Sequence, residues 1–392
     1  MTIPDRNADV FRRERLRRHR EVTAALEPLD DRRLGELLEG ARPLGSGVGG
    51  ASLLLDVGGA PVFVKRVPLT DAERRPGDVG STANLFGLPA FCQYGLGAPG
   101  FPGPGFGAWR ELSAHTMTTD WVTAGRTDAF PLLHHWRVLP GAPPPIAEHD
   151  DIDAVVAYWH GSQAVRERLE ALKRASASLV LFTEFIPRTL DGWLAEQVAA
   201  GPEAAAAACA MLESQMLGEV ASMNAGGLMH FDAHFGNILT DGRRLYLTDF
   251  GLATSARFEL SEQEAAFVER HRTHDLGYAM MRLVNWLVGD VCGVRQAPGT
   301  PPARRNAFIR ACAEGGALPE LPAGAAETIP DGVANTILRY APVAAVMNDL
   351  YWELFGSSRH TPYPAEQVER ALRAVPVPAA TGTGTAPAPQ AG

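Results

Sequence analysis

Apolar residues along this chain follow a strand-like pattern first and a helix-like pattern later. The apolar runs 51–57 and 61–65 favour strands, and the Gly58-Gly59 pair between them is typical of a hairpin turn. A third apolar run, 178–186, stops at a proline and predicts a buried strand. The alanine-rich residues 202–222 begin at a proline and end before a Gly-Gly pair, which predicts a long helix. The pattern therefore predicts a sheet followed by a helical part.

Polar residues that suit phosphoryl transfer interrupt the apolar pattern between 230 and 251. Asp232 and Asn237 lie five residues apart in the segment HFDAHFGN, and Asp249 opens an Asp-Phe-Gly turn directly after the apolar run 244–247. Transfer from a nucleotide needs one carboxylate to orient and deprotonate the attacking hydroxyl. It also needs a second carboxylate and an amide oxygen to hold magnesium. Asp, Asn and Gly are common in turns, but their joint spacing here indicates chemistry.

A glycine-rich loop precedes the first predicted hairpin. Gly45, Gly47 and Gly50 form a Gly-x-Gly-x-x-Gly pattern, in which backbone amides can approach phosphate oxygens without obstruction. Lys65 ends the return strand of the hairpin, where a lysine in an apolar run is costly unless it meets an anion. A dinucleotide fold would need a strand before the loop and a helix opening inside it. Because a strand follows the loop instead, that alternative is rejected.

These motifs together resemble the protein-kinase-like superfamily, from about residue 40 to about residue 290. The resemblance implies an α+β bilobal fold, with a small β-rich N-lobe, a larger helical C-lobe, and ATP and Mg²⁺ held between them. The roles it implies are a base at Asp232, magnesium ligands at Asn237 and Asp249, a phosphate-binding lysine at Lys65, phosphate-covering glycines at Gly45, Gly47 and Gly50, and adenine-binding backbone at Glu184 and Ile186.

The resemblance also implies a carboxylate partner on a helix for Lys65. Glu111 is the preferred candidate because Trp109 and Leu112 give its segment the apolar stripe of a helix. Glu73 is the rival, but it precedes a proline in a turn-like region. Choosing Glu111 makes the Gly- and Pro-rich residues 74–107 an unusually long insertion.

The predicted organisation has four parts. They are a basic N-terminal extension at 1–29, an N-lobe at 30–186 with insertions at 74–107 and 151–175, a helical C-lobe at 187–375, and a disordered tail at 376–392. The basic run within 12–20 is interpreted as a solvated helix face. Asp275 resembles the aspartate that bonds the backbone of the catalytic loop.

The molecule that accepts the phosphoryl group could belong to either of two classes, because the sequence shares features with two kinds of kinase. The glycine loop and the Asp-Phe-Gly turn resemble protein kinases, and an atypical serine/threonine protein kinase is the favoured interpretation. His234 and the absence of an Ala-Pro-Glu motif resemble small-molecule kinases of the aminoglycoside and choline type, which is the alternative. A pseudokinase that only binds nucleotide is disfavoured because every expected catalytic side chain is present. Phe231 stands where the arginine that pairs with an activation-loop phosphate is usual, which predicts activity without such phosphorylation.

Composition restricts the remaining possibilities. The 392 residues are 46% hydrophobic, enough for two cores, and the net charge of −9 argues against a nucleic-acid partner. The four cysteines show no paired spacing, which predicts free buried thiols in a reducing compartment and no zinc site. No leader and no membrane-spanning run is evident, so a cytoplasmic location without a membrane partner is expected. The oligomeric state stays open.

Overall fold

The computed structural model describes residues 6–47, 50–95, 103–143, 150–295, 301–321 and 329–375. It is a mixed α+β structure, as the sequence predicts at that level. The strands are β1 Arg42–Gly47, β2 Gly50–Val57, β3 Ala60–Leu69, β4 Leu133–Pro140, β5 Ala177–Glu184, β6 Arg188–Thr189, β7 Leu228–Met229, β8 Ile238–Thr240, β9 Leu245–Leu247 and β10 Thr254–Ser255.

Helices make up most of the rest of the described chain. They are α1 Arg6–Leu26, α2 Asp31–Glu39, α3 Ala108–Thr123, α4 Ile152–Tyr158, α5 Gln163–Lys173, α6 Leu190–Ala200, α7 Pro202–Met211, α8 Leu217–Ala225, α9 Glu262–Arg270, α10 His274–Trp286, α11 Ala303–Gly315, α12 Asp331–Gly356 and α13 Ala365–Arg373. A π-helical turn, Leu212–Met216, joins α7 to α8, so the predicted long helix is present with one irregularity. The predicted disordered tail, 376–392, lies outside the described residues.

The main sheet has the order β1-β2-β3-β5-β4, and all its neighbouring strands are antiparallel. Strands β2 and β3 form the predicted hairpin, which turns at Gly58 and Gly59 with φ angles of 62° and 84°. Both values lie in the left-handed region, which favours glycine. Gly50 has a separate constraint, because a Cβ on it would lie 2.0 Å from the carbonyl oxygen of Arg66.

The two faces of this sheet carry different hydrophobic clusters. Successive strand side chains point to opposite faces, so Val62 and Val64 pack under α1 and α2 with Val180 and Phe182. The alternate positions of the same strands, among them Val67 and Leu69, pack against α3. Lys65 shares the parity of this second set, and it therefore faces α3.

A third and much larger cluster fills the helical part, where α10 packs against α12. Both predicted insertions contribute to it. Phe91 stacks on Trp159 with ring centroids 6.2 Å apart, and Val165 of α5 is fully buried in the same cluster. The described parts of the segments 74–107 and 151–175 thus contribute to the main core, beyond what the sequence indicated.

Helix α1 is more than a solvated extension. Arg17 and Arg18 are exposed and pair with Glu14, as expected for a solvated face. Arg15, however, is only 5% exposed, so the predicted solvated face is wrong at this position. The physical reason is helical periodicity, since Arg15 shares a stripe with Val22 and Leu26, which pack on the sheet.

The four cysteines are free and buried, which confirms that prediction. None of the helices in the described ranges combines the length and the apolar character needed to cross a bilayer.

Glu73, the rejected partner of Lys65, has a structural position at the start of α3. Its carboxylate is buried and pairs with Arg168 of α5 at 2.9 Å. It also accepts hydrogen bonds from the backbone N–H groups of Thr70 at 2.9 Å and Ala108 at 2.8 Å. An acidic group there accepts a hydrogen bond from a free N–H in the first turn of the helix, and its negative charge interacts favourably with the helix dipole. Glu73 therefore joins the turn after β3 to α3 and α5.

We expect Glu73→Ala to lower the free energy of unfolding by about 3–5 kcal/mol, because it leaves Arg168 buried without its partner. Asp71→Ala is the control, since the Asp71–Arg74 pair is exposed and such pairs contribute about 1 kcal/mol or less. Urea unfolding of both variants measures the difference. Equal effects from the two substitutions would contradict the structural role of Glu73.

Candidate active site

A cleft of about 460 Å³ lies where the main sheet meets the helical part. The predicted residues that line it are Lys65, Glu111, Glu184, Ile186, Asn237 and Asp249. Residues as far apart in the chain as Lys65 and Asp249 thus converge on one space. The volume falls in the range of small-molecule sites.

Lys65 is the centre of this cleft. Its Nζ lies 2.6 Å from Glu111 Oε1 and 2.9 Å from Asp249 Oδ1. The pairing with Glu111, and not with Glu73, is therefore the one the structure contains. Burial alone would lower the pKa of Lys65, but Asp249 and Glu111 together raise it above its ordinary value. Burial would raise the pKa of Asp249, but Lys65 brings it down to about 2. Burial raises the pKa of Glu111, with the Lys65 charge opposing the rise, so Lys65 and Asp249 are the pair held in the charged form.

Helix α3 positions Glu111 and is itself anchored at two points. Glu73 caps its first turn, as described above. Arg110, beside Glu111, is fully buried and donates to Thr82 O at 2.6 Å and to Glu264 Oε1 at 2.7 Å. Glu264 belongs to α9, after the Asp-Phe-Gly turn. Helix α3 is thereby tied to the segment that follows Asp249.

The loop at 230–237 is held by Asp275 of α10. Its carboxylate accepts the backbone N–H of His230 at 2.6 Å and of Phe231 at 2.9 Å, which confirms the predicted contact. Phe231 has φ 61°, an unfavourable conformation for a bulky residue. Such strain persists only where the surroundings over-determine the backbone. The two bonds to Asp275 provide that restraint.

The Asp-Phe-Gly turn is strained in the same way, because Asp249 has φ 61°. His230 braces Thr248, the residue before Asp249, through a 3.0 Å contact between His230 Nε2 and Thr248 O. Phe250 is fully buried, and its ring lies 4.8 Å from that of His115 on α3. The turn is thus packed against both α3 and the 230–237 loop, with its carboxylate directed at Lys65.

Asp232 lies within the 230–237 loop and is hydrogen-bonded to Asn237. The amide Nδ2 of Asn237 donates to Asp232 Oδ2 at 3.1 Å and to Asp232 O at 3.0 Å, which leaves Asn237 Oδ1 for another ligand. Burial, followed by the nearby Asp249 charge, raises the pKa of Asp232 to about 8. A carboxylate tuned near neutrality has the basicity expected of a general base. Gly95 lies against it, since a Cβ there would be 2.0 Å from Asp232 Oδ1.

His234 has one ring nitrogen in the loop and one directed at Asp232. Its Nδ1 accepts the backbone N–H of Gly236 at 3.0 Å, so the proton of the neutral ring lies on Nε2, which is 3.9 Å from Asp232 Oδ2. Burial and the Arg282 charge lower the pKa of His234. The neutral donor form is therefore favoured in the protein.

The segment after β5 presents its backbone to the cleft. The N–H of Glu184 donates to Leu132 O at 2.8 Å, so a ligand could meet the carbonyl of this residue but not its N–H. The Glu184 side chain is fixed from outside by Arg15 of α1, with Nε 2.8 Å from both carboxylate oxygens. Helix α1 therefore braces the edge of the cleft, a contact that the sequence analysis missed.

The glycine-rich loop lies at the mouth of the cleft. Gly45 and Gly47 are in β1 and Gly50 begins β2, while residues 48 and 49 lie outside the described part. Leu44 and Ser52, on either side of the loop, line the cleft. The loop glycines are thus near the space in which they were predicted to act.

Comparison with protein-family models gave no match, and comparison with curated proteins gave none either. Functional assignment therefore depends on the side chains and their geometry. The residues that sequence reasoning missed are Arg15, Gly95, Arg110, His115 and Glu264. Arg110 adjoins Glu111, but no spacing distinguishes it from an ordinary helix-surface arginine. These roles arise from contacts between distant segments.

Acid is expected to destabilise the protein through His115. Burial lowers the pKa of His115 to about 3, and its Nδ1 has no hydrogen-bond partner among the described residues. The unfolded chain, with a histidine pKa near about 6.5, then binds a proton that the folded state rejects. Above that pH, protonation of His115 in the unfolded chain costs the folded state nothing. On going from about pH 7 to about pH 5, it lowers the free energy of unfolding by about 2 kcal/mol.

The test is urea unfolding of the wild type and His115→Phe across this pH range. Phenylalanine retains the ring contact with Phe250 and removes the titration, so the variant should lose less stability in acid by about that amount. Parallel stability profiles for the two proteins would refute the assignment.

Proposed function

We propose that this chain is an ATP- and Mg²⁺-dependent phosphotransferase with a bilobal protein-kinase-like fold. It would move the γ-phosphoryl group of ATP to a hydroxyl acceptor. The observation that carries the proposal is the Lys65–Glu111–Asp249 network in the same cleft as Asn237, with Asp232 hydrogen-bonded to Asn237. Such a set suits phosphoryl transfer, which depends on positioning and charge stabilisation.

The residues present fit a magnesium nucleotide. Asn237 Oδ1 and the Asp249 carboxylate are hard oxygen ligands of the kind magnesium takes, and bound magnesium would neutralise charge on the phosphates. Lys65 would hold phosphate oxygens while Glu111 fixes its direction. The carbonyl of Glu184 and the backbone of Ile186 would meet the base, with Gly45, Gly47 and Gly50 at the phosphate end.

Asp232 would serve as the base in the transfer step. The acceptor oxygen forms a bond to the γ-phosphorus as the bond to the β–γ bridging oxygen breaks, and ADP leaves with that electron pair. The hydroxyl proton passes to Asp232, whose raised pKa suits it to receive one. His234 would donate from Nε2 to a phosphoryl oxygen.

Two acceptor classes fit this chemistry. The sequence favours a protein acceptor of the atypical serine/threonine kinase type. A small-molecule acceptor is supported by a specific observation, a cavity that includes both His234 and Gly95, which each lie against Asp232. A nucleotide-binding module without transfer is a third possibility, and the next experiment excludes or supports it.

Asp232→Asn and Asp249→Asn should abolish transfer by different routes. Asp249→Asn removes a magnesium ligand and should weaken Mg-ATP binding about tenfold or more, whereas Asp232→Asn should change that affinity less than about threefold. Both should lower transfer by at least about a hundredfold. Calorimetric titration with Mg-ATP and assay with labelled ATP measure the two effects, with the exposed Asp71→Asn as control.

An equal loss of nucleotide affinity in both variants would overturn the separate roles. Nucleotide binding without any transfer by the wild type, to proteins or to small molecules, would support the binding-module alternative.

Activity should not need phosphorylation between residues 252 and 274. Thr254 and Ser255 are buried in β10, and Ser261 caps α9. The buried Arg110 already pairs with Glu264, so it is not free to pair with a phosphate on this segment. Phosphatase-treated enzyme should therefore keep its activity, and a loss of about tenfold or more would refute this.

The same reasoning predicts that Glu264→Gln lowers transfer, because α3 loses one anchor for Glu111. Glu262→Gln, an exposed position on the same helix, is the matched control and should behave as wild type.

A further inference from the structure

A second cavity, of about 850 Å³, adjoins the 230–237 loop and is called here the arginine cavity. The described residues that line it include Gly95, His234, Arg282 and Arg305. The loop contributes His234 to this cavity and Gly236 and Asn237 to the nucleotide cleft. Asp232 lines neither space, but Gly95 and His234, which both lie against its carboxylate, line this cavity.

Two arginines give the arginine cavity its charge. Arg282 comes from α10 and Arg305 from α11, and the Nε atom of each is buried without a hydrogen-bond partner within the described chain. Over the same residues, no carboxylate forms an ion pair with either guanidinium group. Arg282 lies over the ring of Phe235 at 5.1 Å, and Arg305 donates only a 3.3 Å bond to Asn306 Oδ1.

Among the described residues, no ion pair neutralises the positive charge of these two arginines. Burial, and then repulsion by Arg282, lowers the pKa of Arg305 to about 10, although Asp290 attracts it. Asp290 is exposed and lies beyond ion-pair distance. Both side chains are half-buried with a buried Nε atom, so an anion placed between them could form charge-assisted hydrogen bonds with both guanidinium groups.

The rest of the arginine cavity is aromatic and neutral. Tyr278 and Tyr351 pack with ring centroids 5.2 Å apart, and Trp352 and Phe355 of α12 are exposed at the rim. Asn285 and Asn348 hydrogen-bond each other reciprocally, at 3.0 Å and 2.9 Å. Each amide keeps one N–H and one oxygen lone pair for a further polar partner.

We propose that the arginine cavity is the acceptor site, and that the acceptor is a small aromatic or apolar molecule carrying both a hydroxyl and an anionic group. Arg282 and Arg305 bind the anionic group, the aromatic side chains hold the body, and the hydroxyl meets Asp232. This inference rests on the proposed phosphotransferase function and names its substrate class. The transfer step is the one given above, with the same bonds formed and broken.

The charge of the cavity distinguishes this acceptor from a cationic one. A positively charged substrate would meet two arginines that, within the described residues, no carboxylate pairs with, so its binding would be opposed. A long basic peptide is disfavoured for the same reason.

The test uses three probes of similar size and different charge: 4-(hydroxymethyl)benzoate, its neutral amide and the cationic 4-(hydroxymethyl)benzylamine. Calorimetry on the full chain should show the benzoate binding about tenfold more tightly than the amide, as charge-assisted hydrogen bonds predict. The benzylamine should be weaker still. The corresponding phosphonate then shows whether the site prefers a carboxylate or a phosphate-like group.

Arg305→Gln should remove the preference for the acid. Arg310→Gln is the matched control, because Arg310 lies on the same helix but pairs with Asp349 at the surface. Arg282→Gln should act like Arg305→Gln. Thermal unfolding of each variant separates loss of the site from loss of the fold, and Arg305→Lys, which retains a charge, should keep part of the preference.

Equal affinity for acid and amide, or no binding of any probe at millimolar concentration, overturns the inference. So does an acid preference that survives in Arg305→Gln. The proposed function fails differently: acid binding would persist while Mg-ATP binding at Lys65 is absent. Lys65→Met should lose Mg-ATP affinity but retain the acid preference, which makes the two failures distinguishable.

Discussion

The structure depends on placing one buried ammonium group between two carboxylates. Lys65 comes from β3, Glu111 from α3 and Asp249 from the turn after β9, so a single charged network fixes three elements of different origin. An unpaired charge in that environment would be strongly destabilising. Each element must therefore be held firmly enough to keep its partner within hydrogen-bond distance, and much of the surrounding structure serves that requirement.

A layer of buried polar residues holds the network in place. Glu73 caps α3, Arg110 ties it to Glu264 of α9, and Asp275 holds the strained backbone at Phe231. Satisfied polar networks of this kind favour one arrangement, because any displacement leaves a buried group unpaired. Arg15 extends the same principle to α1, which binds Glu184 at the edge of the cleft.

The 230–237 loop separates two spaces of different character. The cleft around Lys65 holds the oxygen ligands Asp249 and Asn237 as well as cations, and the arginine cavity offers Arg282 and Arg305, which suit an anion. Asp232 belongs to the loop between them. Under the proposed function, magnesium and an anionic acceptor would bind close together without competing for the same groups.

The sequence by itself determined the local features. Spacing placed Asp232, Asn237 and Asp249 in adjacent turns, the Gly58-Gly59 pair set the hairpin, and strand parity aimed Lys65 at one face of the sheet. These properties depend on neighbours within a few residues, which is why pattern alone reveals them. Only the tertiary structure decided that Arg15 is buried, that Gly95 lies on Asp232, that the two insertions belong to the core, and that Arg282 and Arg305 share a cavity. Each of these depends on residues far apart in the chain, and their energies come from burial and from pairing, which no local spacing encodes.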